Sequence, residues 1–234
     1  MLRWWAPEHR FREASRCGLG RKAGCAGQMA FIVQPLPPSQ LPGLTQAERG
    51  RWSVVLKRIR GELVPWVLLG PSEFLKGLGL VGDGLYALHA FRGPRTGRLV
   101  DSPGDTIGNY GGVVVGGPFG SPDSPEAVAI GSQLAQRGGE YLLFLYRRGQ
   151  GWVLVDGSDA EPPYVPKMND ARSSRNNIEF TSSGNARATK GVPMADLSGS
   201  TDALAPSELL ASYGASYWHF RALLGSESTP FLVD

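Results

Sequence analysis

From about residue 66 onward, short β-branched or aromatic runs alternate with clusters of glycine. Runs of this kind, bounded by turn residues, are typical of short β-strands. The composition agrees, because 32 Gly and 18 Pro among 234 residues favour turns over long helices. A hydrophobic fraction of 41% is sufficient for a packed core. The sequence therefore predicts a mainly β domain with short helices.

The individual strands are predicted from apolar or β-branched runs. They are Val113–Val115, Tyr141–Tyr146, Trp152–Val155, Ile178–Phe180 and Ala186–Thr189. The glycine-containing segment Arg147–Gly151 is a turn, so residues 141–155 form a predicted hairpin. Two short helices are predicted as well, one over Ala127–Arg137 and one over Pro206–Tyr213.

Residues 1–43 are predicted to be a basic N-terminal tail that ends in a Pro-rich linker at residues 33–43. Arginines are enriched over residues 1–28, which fits an organelle-targeting segment. The same stretch also fits a disordered tail or a chain that starts at Met29. The sequence leaves these three interpretations open.

An accessory helix is predicted over residues 44–65. Thr45 and Glu48 form a Thr-x-x-Glu capping box at its start, and Pro65 closes the stretch. Apolar residues follow the capping box at helical spacing. They are Trp52, Val55, Leu56, Ile59 and Leu63. The basic residues of the segment lie mostly on the opposite face, which is either solvated or directed at nucleic acid or an acidic partner.

Several classes of function are disfavoured. The net charge of +3 is too small to argue for direct nucleic-acid binding. Cys17 and Cys25 allow at most one disulfide, and three His without a paired-Cys motif make a structural zinc site improbable. No run of 18 apolar residues indicates a membrane span. No P-loop, dinucleotide fingerprint or Gly-x-Ser-x-Gly elbow occurs, and the scattered Gly-x-Gly pairs are expected at this glycine content.

The informative feature is a set of weak motifs in a fixed order. They are Phe74-Leu-Lys-Gly77-Leu78-Gly79-Leu80, Gly104 to Gly112, Trp152 to Gly157, Lys167-Met168-Asn169-Asp170, Asn176 to Phe180, and Ser207 to Gly214 followed by Tyr217-Trp218. In this order the chain resembles the SET-domain family of protein lysine methyltransferases. The resemblance implies a SET domain over residues 66–220 and a C-terminal tail over 221–234. It also implies a β-clip fold whose C-terminal segment passes under a preceding loop in a pseudoknot.

The resemblance assigns roles to particular residues. Tyr213 matches the active-site tyrosine of the family, and Tyr110 matches a second tyrosine of the lysine channel. The implied cofactor is S-adenosylmethionine. Its implied binding residues are Gly77, Leu78, Gly79, Asn169, Asp170 and Trp218. Glycines let backbone approach the cofactor closely, and the tyrosines wall off the lysine stem.

The chemistry of methyl transfer explains these residue types. The acceptor lysine must be neutral, although its ordinary pKa is about 10.4. A narrow apolar channel lowers that pKa by desolvation, and the positive sulfonium of the donor acts in the same direction. The enzyme must then hold nitrogen, methyl and sulfur in line, which is a problem of orientation.

The match is incomplete at several positions. Asp170 stands where the family has His, and Arg172–Arg175 replace its Cys-x-Pro segment. Ala211 lies where the family often has a Phe or Tyr that limits the number of methyl groups added, so the product state stays open. These departures bear on the substrate and the level of activity more than on the fold.

The implied function is a protein lysine N-methyltransferase that acts on a histone tail or on a non-histone protein, without a membrane partner. The nucleus is the family's commonest compartment, while the basic N-terminus keeps a chloroplast or mitochondrion open. A catalytically silent SET-like module that binds a peptide or partner is the alternative of another class. A β-rich domain with chance motif matches would instead place Gly77, Asn169 and Tyr213 far apart.

Overall fold

The computed structural model describes residues 31–89, 106–139, 141–160, 164–199, 201–215 and 217–218. The predictions for residues 1–30, including Cys17 and Cys25, and for the tail at 221–234 lie outside these residues, as do Gly104 and Asp105. The described residues form eleven short strands in three sheets, with three short α-helices. The predicted mainly β class is therefore confirmed.

The first sheet has four antiparallel strands in the order β1-β2-β3-β4. They are β1 (Phe31–Pro35), β2 (Ser53–Ile59), β3 (Glu62–Pro71) and β4 (Asp83–Ala87). Helix α1 (Gln46–Arg49) lies between β1 and β2, and α2 (Glu73–Gly77) lies between β3 and β4. Ser72 caps α2, because its Oγ accepts from the Leu75 N–H at 3.0 Å.

The other two sheets contain the remaining strands. The second has the order β11-β9-β10-β5, and the third has the order β6-β8-β7. The strands are β5 (Thr106–Asn109), β6 (Val113–Phe119), β7 (Leu142–Arg147), β8 (Gly151–Asp156), β9 (Ile178–Phe180), β10 (Asn185–Ala188) and β11 (Ala211–Ser212). Helix α3 (Pro125–Gln136) packs on the third sheet, and 3₁₀ turns cover Val165–Lys167 and Thr201–Ser207. The strands predicted from the sequence, the 141–155 hairpin and the helix at Ala127–Arg137 are confirmed.

One core connects the three sheets. Val67 and Leu85 of the first sheet, Ile107 and Ile178 of the second and Val155 of the third are almost fully buried in one cluster. Within this core, the indole Nε1 of Trp66 donates to the carbonyl of Ile107 at 3.1 Å, so this buried polar group has a partner. In the described part of the chain, no helix is long and apolar enough to cross a membrane.

The accessory helix predicted over residues 44–65 is wrong except for its first turn. The capping box of Thr45 and Glu48 exists, but α1 ends at Arg49. The following residues form β2, which is hydrogen-bonded to β1 on one side and β3 on the other. A strand with two neighbours satisfies its backbone groups as completely as a helix does, and it buries Val54 and Val55. Partners that are distant in the sequence therefore override the local helical spacing.

The Pro-rich linker predicted over residues 33–43 is wrong, because this segment is packed into the domain. Leu36 and Leu41 are 3% and 1% exposed. The Leu36 N–H donates to the carbonyl of Trp52 at 3.1 Å, and the Leu41 N–H donates to that of Leu197 at 3.1 Å. The segment therefore belongs to the folded domain, since prolines at turns are compatible with burial of the leucines between them.

The turn between β2 and β3 provides a test of the hairpin that replaces the predicted helix. Arg60 and Gly61 have φ values of 52° and 90°, and a Cβ added at Gly61 would meet no atom within 4 Å. We expect Gly61→Ala to lower the free energy of unfolding by about 1–2 kcal/mol, because only glycine adopts this backbone conformation without strain. Chemical denaturation measures this loss. The matched control is Gly50→Ala at φ −61°, for which we expect no loss; equal effects would contradict the turn.

Candidate functional site

The C-terminal segment at residues 208–213 runs between strands that are far from it in sequence. The Leu209 N–H donates to the carbonyl of Leu85 in β4 at 2.6 Å. Two residues later, the Ala211 N–H donates to the carbonyl of Asn169 at 2.8 Å, and β11 pairs in parallel with β9. The helix predicted over Pro206–Tyr213 is wrong, because the 3₁₀ turn ends at Ser207 and the chain then becomes extended. The extended conformation lets the segment bond to both neighbours.

Asn177 holds this segment with its side chain. Its Nδ2 donates to the carbonyl of Glu208 at 2.8 Å, and its Oδ1 accepts from the Leu210 N–H at 2.9 Å. The side-chain amide thus forms two hydrogen bonds to the backbone of this segment, as a neighbouring strand would. Asn177 is 6% exposed, so losing these bonds would leave buried backbone groups without partners.

Glu208 is a buried carboxylate, 1% exposed, that connects three parts of the fold. It accepts from Ser72 Oγ at 2.6 Å, from the Phe74 N–H at 2.9 Å and from Asn169 Nδ2 at 3.0 Å. Burial raises the pKa of Glu208, while the three hydrogen bonds act in the opposite direction. The packing is tight, since a Cβ added at Gly84 would lie 2.5 Å from Glu208 Oε1. The sequence motifs assigned Glu208 no role. The pattern that could have identified it is a single acidic residue within an apolar run.

Tyr213 lies at the end of the same segment and is held by the loop that contains Asn169. Its hydroxyl donates to the carbonyl of Met168, and its N–H donates to Asp170 Oδ2 at 2.8 Å. The centroid of its ring lies 4.8 Å from that of the Tyr217 ring and 5.9 Å from that of the Trp218 ring. Burial raises the pKa of Tyr213 well above its ordinary value. The phenol therefore stays protonated at neutral pH, and it can donate a hydrogen bond but cannot act as a base.

Asp170 uses both carboxylate oxygens inside the chain. Its Oδ1 accepts from the Arg172 N–H and from Asn176 Nδ2, each at 2.7 Å. Its Oδ2 accepts from the Tyr213 N–H at 2.8 Å and from Trp218 Nε1 at 2.9 Å. The predicted cofactor residue is thus the centre of a network that joins the loop to the C-terminal segment. The sequence identified the residue but not this role of its side chain.

Two cavities meet at the segment that contains Tyr213. The larger one, of about 490 Å³, is mainly apolar and is bordered by Leu143, Phe144, Phe180, Tyr213 and Tyr217 among others. The smaller one, of about 370 Å³, is more polar, although about half of its surface is apolar; it is bordered by Asp170, Arg172, Ser173, Asn176, Ala215 and Trp218. Ser212 and Gly214 border both cavities. Residues 212–214 are therefore a wall shared by an apolar and a polar opening.

Arg172 and Trp218 form the charged and aromatic side of the smaller cavity. The guanidinium carbon of Arg172 lies 4.4 Å from the ring of Trp218, at a distance typical of cation–π contact. Arg172 has φ 52°, an uncommon conformation for a side chain of this size. The Asp170 carboxylate that accepts from its N–H stabilises this turn.

The predicted glycine motif lies next to the site without bordering either cavity. Gly77 is the last residue of α2, and Gly79 has φ 71°. A Cβ at either position would meet no atom within 4 Å, so the chain itself does not require the close approach that was predicted. Leu78 packs against the small cluster that contains Ala171 and Leu210. The motif therefore supports the loop that carries the site residues.

Tyr110 also borders neither cavity. It is 5% exposed in the main core, and its hydroxyl donates to the carbonyl of Tyr141 at 2.8 Å. Its ring packs edge-on against Phe180, with 5.4 Å between centroids, and Phe180 does border the larger cavity. Burial raises the pKa of Tyr110, so this phenol is neutral too. Tyr110 is therefore a packed core residue that contacts a residue of the cavity, Phe180, without bordering the cavity itself.

The residues predicted to converge do so in part. Asn169 lies near Tyr213, because its carbonyl accepts from the Ala211 N–H two residues before that tyrosine. Asp170 and Trp218 belong to the hydrogen-bond network that holds Tyr213.

A domain with chance motif matches would place Gly77, Asn169 and Tyr213 far apart. Instead, Asn169 contacts the segment that carries Tyr213, and Glu208 joins Asn169 to α2, which ends at Gly77. Among the described residues, no group of three or more His, Cys, Asp or Glu is placed to hold a metal ion. No protein-family model, curated protein or solved structure matches this chain significantly.

Proposed function

We propose that this protein is an S-adenosylmethionine-dependent protein lysine N-methyltransferase. The observation that carries the proposal is the wall at Ser212–Gly214, which separates a polar cavity from an apolar one and holds Tyr213. Transfer between a nucleoside donor and a lysine stem requires two openings of different chemistry that meet at one position. The order of motifs in the sequence supports the same activity.

The smaller cavity has groups that fit the donor. A guanidinium such as that of Arg172 suits a carboxylate like that of the methionine moiety, and an indole such as that of Trp218 suits an adenine ring. When bound, S-adenosylmethionine supplies an electrophilic methyl group carried on a sulfonium. Asp170 orients the Trp218 indole, and so keeps the aromatic side of the cavity in place.

Tyr213 is the residue that we assign to the acceptor lysine. Its hydroxyl proton is donated to the Met168 carbonyl, so the oxygen lone pairs remain available to accept a hydrogen bond from an amine. The apolar lining of the larger cavity disfavours an ammonium ion and therefore lowers the pKa of an entering lysine. Tyr213 thus orients a neutral amine at the shared wall, which is a task of positioning.

Calorimetric titration with S-adenosylmethionine tests the donor site. We expect the folded protein to bind it and Arg172→Ala to weaken binding by about tenfold, the loss of one charge-assisted bond. The matched control is Arg175→Ala, which removes an exposed arginine from the same loop. Arg175 lies over the ring of Phe74 and borders neither cavity. An equal loss of affinity for S-adenosylmethionine in both variants would mean that Arg172 does not bind the donor.

A catalytically silent module that binds a peptide or partner is the second candidate. The observation that favours it is Asp170, whose oxygens accept four hydrogen bonds within the chain where the resemblance implies contact with a cofactor. The same titration separates the two candidates. Absence of any binding heat with correctly folded protein would contradict the enzyme and favour the silent module.

A further inference from the structure

The larger cavity has more room than one lysine stem needs. Its volume is about 490 Å³, and cavities of roughly 300–1,000 Å³ hold ligands of drug size. It lies between α3, the β7–β8 hairpin and the segment around Tyr213. An acceptor that entered beside Tyr213 would therefore leave most of the space next to it for neighbouring groups.

The floor of this cavity is apolar and only half-buried. Leu142, Leu143 and Phe144 of β7 face it together with Trp152 and Leu154 of β8. All of these except Leu154 keep part of their surface exposed, unlike the residues of the main core. Covering such a surface with an apolar group is favourable, because apolar area leaves water.

The charge at the edge of the cavity has one sign. Glu179 is the single carboxylate among the described residues that border it, and no described Lys or Arg does. Glu179 is exposed, and its register partner in β10 is the exposed Arg187, which does not border the cavity. Its register partner in β11 is Ser212, so the carboxylate lies next to the wall that carries Tyr213. A single carboxylate at this end of the cavity can attract one cation, such as the lysine of a substrate that approaches residues 212–214.

We propose that the substrate of this protein is a polypeptide in which the target lysine is flanked by a large apolar residue. The lysine enters past Glu179 and Tyr213, and the apolar neighbour occupies the cavity against Leu143 and Phe144. A segment with several adjacent basic residues would place cations over an apolar floor with one carboxylate, at a cost in desolvation. The proposal deepens the proposed methyltransferase function and names the substrate class of that site.

Two synthetic peptides of equal length test this preference. One has a central lysine between leucine and phenylalanine, and the other has the same lysine between arginines. Binding is measured by fluorescence anisotropy, and methyl transfer is measured separately with radiolabelled S-adenosylmethionine. We expect the apolar peptide to bind at least about tenfold more tightly, and its kcat/KM to be higher by a similar factor.

A cavity-filling variant makes the test specific to this cavity. Ala135→Phe places a ring into the cavity from α3, and we expect it to remove most of the preference while donor binding is unchanged. Ala129→Phe is the matched control, because Ala129 is exposed on the same helix and does not border the cavity. Equal binding of the two peptides, or equal effects of the two variants, would overturn the proposal. Selective binding without any methyl transfer would support it and contradict the methyltransferase function.

Discussion

Tyr213→Phe is expected to lower the turnover number for methyl transfer by about 10²–10³-fold, the usual effect of losing one hydrogen bond in a transition state. The variant removes only the hydroxyl, which donates to the Met168 carbonyl and which we assign to the acceptor amine. The ring and its contacts with Tyr217 and Trp218 stay in place. Initial rates with radiolabelled donor measure the effect, and calorimetry should show unchanged donor affinity.

The control for this experiment is Tyr146→Phe. Tyr146 is 46% exposed on β7, and it borders neither cavity, so the same chemical change there should leave the rate unaltered. Turnover by Tyr213→Phe at the rate of the unmodified protein would exclude Tyr213 from the mechanism. A parallel loss of donor binding and thermal stability would show that the hydroxyl has a structural role instead.

Glu208→Ala is expected to lower the free energy of unfolding by at least about 3 kcal/mol, a large part of the 5–15 kcal/mol typical of a folded domain. The variant leaves the Ser72 hydroxyl and the Phe74 N–H without their buried acceptor, while the Asn169 amide keeps the Asp83 carbonyl. Each unsatisfied buried donor costs about 1–3 kcal/mol. Removing a desolvated carboxylate offsets only part of this loss. Denaturant titration measures the result.

Glu62→Ala is the control for Glu208→Ala. Glu62 is exposed at the start of β3, so we expect its removal to change stability by no more than about 0.5 kcal/mol. Glu208→Gln keeps one acceptor oxygen and should fall between the two. Equal unfolding free energies for Glu208→Ala and Glu62→Ala would mean that the carboxylate network does not hold α2 to the C-terminal segment.

Local patterns in the sequence predicted the elements whose partners are close in the chain. The 141–155 hairpin and α3 carry their own signals, namely a glycine turn between apolar runs and apolar residues at helical spacing. The capping box at Thr45 predicted the start of α1 correctly as well. The error over Trp52–Leu63 arose because these residues fit either a helix or a strand. Pairing with β1 and β3 decides between them, and that pairing depends on the whole sheet.

The candidate site, too, was predicted from the sequence only in part. The ordered motifs identified Asp170, Tyr213 and Trp218, which the fold brings into one network, and Asn169, whose side chain bonds to Glu208 instead. The motifs did not reveal that the Asp170 carboxylate is used by the chain, nor that Glu208 connects α2 to Asn169. A hydrogen bond between Phe74 and Glu208 spans 134 residues, and no short pattern records such a distance.

By itself, the sequence determined where the chain turns and which short runs become buried strands, because glycine, proline and β-branched residues act on the backbone next to them. The tertiary structure alone decided that residues 208–213 lie between β4 and β9, and that a polar and an apolar cavity share the wall at residues 212–214. The physical reason is that these contacts form only when distant segments close loops around a common core.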